Sequence, residues 1–260
     1  MKNTALITGA SSGIGLELAR IHAEKGGNLV LVARSTGKLE ELKYELEKKH
    51  GISIYIIGKD LSQPNAATEV YSELEKQNIT IDFLINNAGF GDSGLFFDSV
   101  WEKQEQMINL NIMTLTHFTR LFLKDMVERR NGKIMNIAST AAFQPGPTMS
   151  VYCATKAYVL SFSEAINNEA KEFGVTVTAL CPGATTSGFQ VAASLEGSSL
   201  FEGKKLPSSK EVAKYGYKAM MKGKAVAIHG LMNSIMANSI RFTPRSIIVK
   251  VARMMLDKKN

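Results

Sequence analysis

Short apolar runs recur along the chain with longer helical patterns between them, and this alternation limits the fold more than any other feature. The runs are Ala5–Thr8, Leu29–Ala33, Ile52–Ile57, Phe83–Asn86, Ile134–Ala138, Val175–Leu180 and Val226–Ile228. Several show little polar alternation, as expected of strands covered on both faces, and such strands are usually parallel. Helical patterns fill the intervals at 14–25, 36–49, 64–78, 99–130, 150–173 and 208–222. The expected architecture is α/β: a Rossmann-like, doubly wound parallel sheet of about seven strands with helices on both faces. A chain of 260 residues, 45% of them hydrophobic, can bury about three quarters of its unfolded surface in one core, so a single domain over 1–260 is expected.

Composition narrows the function classes. No stretch of ~20 apolar residues exists, and nothing resembling a signal peptide precedes the first strand, so a soluble, cytoplasmic protein is expected. Cys153 and Cys181 are too few and too far apart for a metal cluster and are read as reduced, buried thiols. His22, His50, His117 and His229 lack metal-ligand spacing, so no metal site is expected. The net charge of +7 is uneven: residues 204–260 hold 13 Lys or Arg against 2 acids. No aromatic or groove-reading module accompanies this charge, so nucleic acid is not expected as a partner.

Directly after the first run comes Thr8–Gly15, TGASSGIG, and directly after that a helical pattern. A strand, a glycine turn and a helix N-terminus in that order can hold the pyrophosphate of a dinucleotide, because the first helical turn presents unpaired N–H groups and the positive end of its dipole. Gly9, Ser11, Ser12, Gly13, Ile14 and Gly15 are the expected phosphate-binding residues. At the end of the second run, where NAD sites usually carry an acid, the chain has Ala33 followed by Arg34. A guanidinium without an acid suits the 2′-phosphate of NADP(H), which is expected over NAD(H). Asp60 and Leu61 follow the third run; Asp60 either meets the adenine or caps the helix near Pro64. Asn87, Ala88 and Gly89 follow the fourth run, at the sheet edge where such folds bind ligands.

Tyr152 and Lys156 begin a helical stretch four residues apart and so share a face. The interval alone carries little, since Tyr44 with Lys48 and Tyr55 with Lys59 repeat it. Ser139 distinguishes the pair: it ends the fifth strand, and Pro145-Gly146-Pro147 forces a loop between. An ammonium near a phenol lowers its pKa, so Lys156 is expected to act on Tyr152 in this way.

Thr8–Gly15, Asp60-Leu61, Asn86–Gly89, Asn111, Ser139, Tyr152, Lys156 and Pro182-Gly183 together resemble the short-chain dehydrogenase/reductase family over essentially the whole chain. The resemblance implies Tyr152 as general acid or base, Lys156 as its modulator and holder of the nicotinamide ribose, and Ser139 as the group polarising the carbonyl. It implies Asn111, rather than Asn109, as anchor of a proton-relay water. Pro182 and Gly183 approach the nicotinamide, and the family's carboxamide-binding threonine corresponds to Ser187, with Thr185 as an alternative donor. The implied reaction is hydride transfer between nicotinamide and a carbonyl or secondary alcohol, with Tyr152 moving the proton. By analogy the helices 99–130 and 150–173 make a homodimer or homotetramer.

Within the chain, 1–90 then serves mainly the cofactor, 91–183 the catalytic residues, 184–230 a substrate lid and the last strand, and 231–260 amphipathic basic helices. The lid is the Gly, Ser and Ala-rich stretch Thr185–Ser209. In the last helix Thr243 caps, Pro244 opens, and Ile247, Ile248, Val251, Met254 and Met255 form one apolar face. That face is expected to dock on the core or a second subunit in preference to a membrane surface. The expected substrate is a hydrophobic 3-oxoacyl, steroid-like or other ketone, whose anionic carrier group the basic residues steer. The alternatives are a catalytically silent NADP sensor and a peripheral membrane protein.

Overall fold

The computed structural model describes residues 2–186, 193 and 206–256. Strands β1 (Thr4–Thr8), β2 (Asn28–Ala33), β3 (Ile54–Gly58), β4 (Phe83–Asn86), β5 (Gly132–Ile137), β6 (Val175–Cys181) and β7 (Val226–Ile228) form one sheet. Their order is β3-β2-β1-β4-β5-β6-β7, and every pairing is parallel. The chain winds outward from β1 to β3, returns to place β4 beside β1, and winds outward the other way. The carboxyl ends of β1 and β4 therefore flank the crevice where the winding reverses, which is where open α/β sheets bind ligands.

The helices are α1 (Gly13–Glu24), α2 (Thr36–His50), α3 (Ala66–Lys76), α4 (Trp101–Ile108), α5 (Leu115–Glu128), α6 (Ser150–Lys171), α7 (Ser209–Met221), α8 (Leu231–Ser239) and α9 (Arg245–Leu256). Alternate strand residues reach opposite faces of the sheet. Ala5, Ile7, Leu29, Leu31 and Ile85 pack with Leu18 of α1, Leu39 and Leu42 of α2 and Val212 of α7. Leu6, Val30, Val32 and Leu84 pack with Val70 of α3, Phe118 and Phe122 of α5 and Ala170 of α6. Both faces are covered, which is why the strands read as apolar runs.

Local chemistry sets several helix ends. Ser208 and Glu211 make a reciprocal capping box at the start of α7, satisfying N–H groups the first turn leaves unpaired. Gly51 ends α2 at φ +59°, a left-handed conformation that costs glycine nothing.

Four expectations need correction. The pattern 99–130 is not one helix: a 3₁₀ turn at Phe96–Asp98 and α4 precede a π-helical turn at Asn109–Thr114, and α5 follows. Such π turns insert one residue into the helix and are frequent at functional sites. The third helix begins at Ala66, after Asn65 at φ +62°, because Asp60 closes a local turn instead of capping: its Oδ1 accepts from the Ser62 N–H at 3.0 Å and hydroxyl at 2.8 Å. Strand β3 runs from Ile54 to Gly58, where pairing with β2 from Leu29 to Ala33 sets its register. Finally, Thr243 does not cap α9; its hydroxyl donates back to the Ser239 carbonyl at 3.1 Å. The Pro244 carbonyl instead accepts from the Ile248 N–H at 3.2 Å and starts the helix.

The expected lid, Thr185–Ser209, lies mostly outside the described residues, as does the expectation placed on Ser187. Its two ends are pinned together: the Thr186 N–H donates to the Pro207 carbonyl at 2.9 Å, and the Ser209 hydroxyl donates to the Thr186 carbonyl at 3.1 Å. Among the described residues no helix is long and apolar enough to cross a membrane.

A buried polar network crosses the layers beneath the crevice. Asn86 of β4 donates its amide to Thr119 of α5 at 3.1 Å and to the Asn136 side-chain oxygen at 2.9 Å. Asn136 of β5 in turn donates to the Ser163 hydroxyl of α6 at 2.9 Å. Asn136→Leu removes two of these bonds while keeping the volume, and it is expected to lower stability by about 1–3 kcal/mol. Urea unfolding checks this through the midpoint at unchanged slope; a wild-type midpoint would show that the network contributes nothing.

Candidate active site

The site begins where β1 stops. Gly9 takes φ +66° and Gly13 φ +58°, so the turn between them is closed to most side chains. A Cβ on Gly15 would meet the Gly9 carbonyl oxygen and lie 2.5 Å from Asn87 Nδ2. This glycine lets α1 pack against the turn. Ser12 precedes α1 in extended conformation and its side chain makes no capping bond. The first N–H groups of α1 therefore remain available to an anion in the cleft that Gly9, Ser11, Ser12, Gly13 and Ile14 line. Gly15 is not among the lining residues and acts from beneath.

Side chains fasten the edges of β1 and β4 beyond their last ladder bonds. The Thr8 hydroxyl accepts from the Asn87 N–H at 3.0 Å and the Ala88 N–H at 2.9 Å. Asn87 returns its amide to the carbonyls of Thr8 at 2.9 Å and Gly9 at 3.2 Å. Asn87 is thus a fastener of the glycine turn as well as a cleft residue, and Thr8 is a functional position the sequence reading left without a role. Its signal was present in the motif: a hydroxyl one residue before the first glycine.

At the adenosine end, Ala33, Arg34, Asp60 and Leu61 line the same cleft, joined by Ser35 and Lys59. Arg34 favours the ionised form of Asp60, whose carboxyl is held below its usual range; burial opposes this, while hydrogen bonds from Ser62 and the Arg34 charge prevail. Lys59 pairs with Glu69. No acid follows β2 itself, and Arg34 with the Ser35 hydroxyl at its end makes a setting that fits an additional phosphate.

At the other end, α6 carries Tyr152 and Lys156. Tyr152 and Lys156 are both buried, and Lys156 Nζ lies 5.8 Å from the centre of the Tyr152 ring. The expected effect of the lysine on the phenol is corrected here. Burial raises the Tyr152 pKa, and the opposing influence is a hydrogen bond with Ser139. Lys156 is itself so far from water that burial depresses its pKa to about 8, and its ammonium donates to the Ile137 carbonyl at 2.8 Å. Desolvation is the largest influence on both groups. Ser139 lies two residues beyond the end of β5 and heads a 3₁₀ turn, its oxygen accepting from the Ala141 N–H at 3.1 Å.

Asn111 sits in the π turn, buried. Its amide donates to the Phe90 carbonyl at 3.0 Å and to Thr155 Oγ1 at 3.1 Å, and its oxygen accepts from the Phe90 N–H at 3.3 Å. Thr155 in turn donates to the Tyr152 carbonyl at 2.7 Å. Asn111 thereby ties the loop after Gly89 to the second turn of α6, and it stands behind the cleft wall. Gly89 makes room for it: a Cβ there would lie 2.9 Å from Asn111 Oδ1. Thr155 was missed in the sequence because its role depends on the π turn that faces it.

One cleft of about 680 Å3 joins both ends. Besides the residues above, Pro182, Gly183 and Thr185 line it, with the Thr185 hydroxyl donating to the Gly183 carbonyl at 2.9 Å. Met149, Cys153, Met255 and Leu256 add an apolar wall beside Tyr152. Burial pushes the Cys153 thiol up to about 11 and the Cys181 thiol to about 12, so both are protonated. Among the described residues no three side chains could gather a metal ion.

A family model described as short chain dehydrogenase matches residues 3–196. The chain is 35% identical to 17-beta-hydroxysteroid dehydrogenase type 3 of Mus musculus over 184 residues, 70% of this chain and 60% of that protein. It is 33% identical to the very-long-chain 3-oxoacyl-CoA reductase of Anas platyrhynchos over 184 residues, 68% of this chain and 58% of that protein. The chain spans about three fifths of the length of these curated relatives. Among solved structures, a short-chain dehydrogenase from Sphingobium yanoikuyae in complex with NADPH superposes with TM-score 0.82 at 32% identity, covering 92% of this chain and 94% of that one.

The buried ammonium has a measurable consequence. The unfolded chain keeps the Lys156 proton up to the ordinary value of 10.5, whereas the folded chain releases it near 8. Between these values the unfolded state binds more protons, so the burial penalty shrinks and stability rises with pH. Compared with Lys156→Met, which carries no charge, the ligand-free wild type is expected to gain about 2 kcal/mol between about pH 7.5 and 9.5. Chemical unfolding of both proteins across that range checks it, and parallel curves would refute it.

Proposed function

The chain belongs to the short-chain dehydrogenase family, and from that premise we propose that it reduces a hydrophobic ketone to a secondary alcohol with NADPH. One observation carries this reading: a buried tyrosine whose pKa is raised, hydrogen-bonded to Ser139, in the same cleft as a helix N-terminus and a cationic adenosine end. A phenol that stays protonated through neutral pH is suited to donate a proton to an oxygen gaining charge.

NADPH supplies the hydride, delivered to the carbonyl carbon. The protein positions and protonates. Ser139 orients the carbonyl oxygen, Tyr152 gives that oxygen its proton, and Lys156, anchored on the Ile137 carbonyl, presents its remaining N–H groups toward the ribose. The α1 N-terminus takes the pyrophosphate, and Arg34 with Lys59 takes the 2′-phosphate, which is the basis for NADP(H) over NAD(H). Thr185 meets the carboxamide.

The apolar wall of Met149, Cys153, Met255 and Leu256 suits a substrate with a large hydrocarbon portion, in keeping with the steroid and long-chain acyl substrates named for the two relatives. Lys103 at the cleft is held by Asp92 at 2.5 Å, so a carrier's negative charge would fall to the basic residues that follow Lys204. We further propose a cytoplasmic homodimer or homotetramer formed through α5 and α6, on which Tyr158 stays partly exposed and stacks on Phe162.

A spectrophotometric screen of NADPH oxidation over ketones, 3-oxoacyl thioesters and oxosteroids tests the reading. Tyr152→Phe is expected to lower turnover by about 10³-fold while leaving NADPH binding intact; wild-type turnover in that variant would sink the mechanism. Arg34→Ala is expected to raise the KM for NADPH by about 10–100-fold and to leave that for NADH nearly unchanged, the equivalent of one charge-assisted contact. Equal effects on both cofactors would place the 2′-phosphate elsewhere.

A further inference from the structure

We propose that α8, the turn Ile240–Phe242 and the outer face of α9 form a docking surface for an anionic lipid bilayer. The apolar face expected for the last helix is split by the structure. Ile248, Ala252 and Leu256 face inward and are buried, whereas Ile247, Val251 and Met254 stay exposed, Met254 at 69%. Two apolar sides on one short helix exceed what docking on the core requires. Exposed apolar side chains also precede α9 in the chain: Phe242 is 89% exposed, and Leu231 at 80%, Met232 and Ile235 stand exposed on α8. An apolar surface of this kind marks an interaction site rather than ordinary scatter.

Charge identifies the occupant. Between Glu211 and Asp257 the sequence has no acidic residue, while Arg241, Arg245 and Lys250 stand exposed along the same segment as the apolar side chains. A second copy applying the same face would set these cations against their own counterparts with no carboxylate from either segment to offset them, because a two-fold contact is self-complementary. An anionic bilayer satisfies both features, since its acyl boundary takes the apolar side chains and its headgroups take the cations.

The same helix walls the cleft. Met255 and Leu256 line it from α9, so docking sets the apolar end of the cleft close to the lipid surface. That link rests on the oxidoreductase reading; the docking itself does not.

Vesicle sedimentation of the full chain provides the test. The bound fraction is expected to be at least ~10-fold higher on phosphatidylcholine vesicles containing phosphatidylglycerol than on phosphatidylcholine alone, and to fall in about 0.5 M salt, where screening shortens to a few ångströms. Ile247→Glu with Met254→Glu is expected to lower binding about tenfold or more. Arg245→Glu with Lys250→Glu is expected to remove the preference for the anionic lipid. Unfolding temperature should match wild type in both variants, and turnover of a water-soluble ketone should match it in Ile247→Glu with Met254→Glu, which separates lost docking from lost fold. A protein left in the supernatant with either vesicle overturns the proposal, as does undiminished binding by the variants. If the substitutions instead change only the oligomer size measured by light scattering, the face joins two copies and the bilayer assignment is wrong. Absence of any ketone turnover alongside intact vesicle binding would refute the enzymatic reading alone.

Discussion

Thr8 and Asn87 exchange hydrogen bonds across the carboxyl ends of β1 and β4, beyond the last ladder bonds between these strands. Parallel strands that stop side by side leave backbone groups unpaired at their ends, and leaving them buried and unsatisfied would cost more than a normal hydrogen bond returns. Here side chains satisfy them. The consequence is a glycine turn held at a fixed distance from the strand that leads to Gly89. The glycine turn and the Gly89 side of the cleft thus share one fastened edge.

A second set of fasteners repeats the principle deeper in the site. Asn111 joins the Phe90 backbone to Thr155, and Thr155 holds the Tyr152 carbonyl. The π turn is what aims Asn111 there, since a regular helix through 109–114 would rotate that side chain away from α6. The price of a dry, rigid site is visible in its titrating groups. Burial raises Tyr152 and depresses Lys156, so both tend toward their neutral forms. A site of this kind favours proton donation by the phenol, and any cofactor charge entering the cleft acts with little water to screen it.

Much of this is legible in the sequence. The strands read as uninterrupted apolar runs because helices cover both faces of the sheet, and the helices 14–25, 36–49 and 208–222 fall within one or two residues of α1, α2 and α7. That Gly9, Ser139, Tyr152 and Lys156 meet in one cleft was legible because each stands at a particular place in a strand–turn–helix order. Illegible were the features made by partners distant in sequence: the π turn, the Asn111–Thr155 link, the Ile137 carbonyl under Lys156, and the local turn that takes Asp60 away from capping. None has a periodicity of its own. The single apolar face assigned to the last helix failed similarly, because a helical wheel reports which residues are apolar and not which side meets the core.

Sequence by itself determined the sheet, the glycine turn at the head of α1 and the family to which the chain belongs, because these follow from local periodicity and from residue types that few others can replace. Tertiary structure decided how the side chains behave. Whether Lys156 tunes Tyr152, whether Asn87 binds a ligand or fastens a turn, and which side of α9 remains open are all questions of burial and of contact across long sequence separations. Electrostatic free energy depends on how far a group stands from water and from its partners, and that distance exists only after the chain has folded.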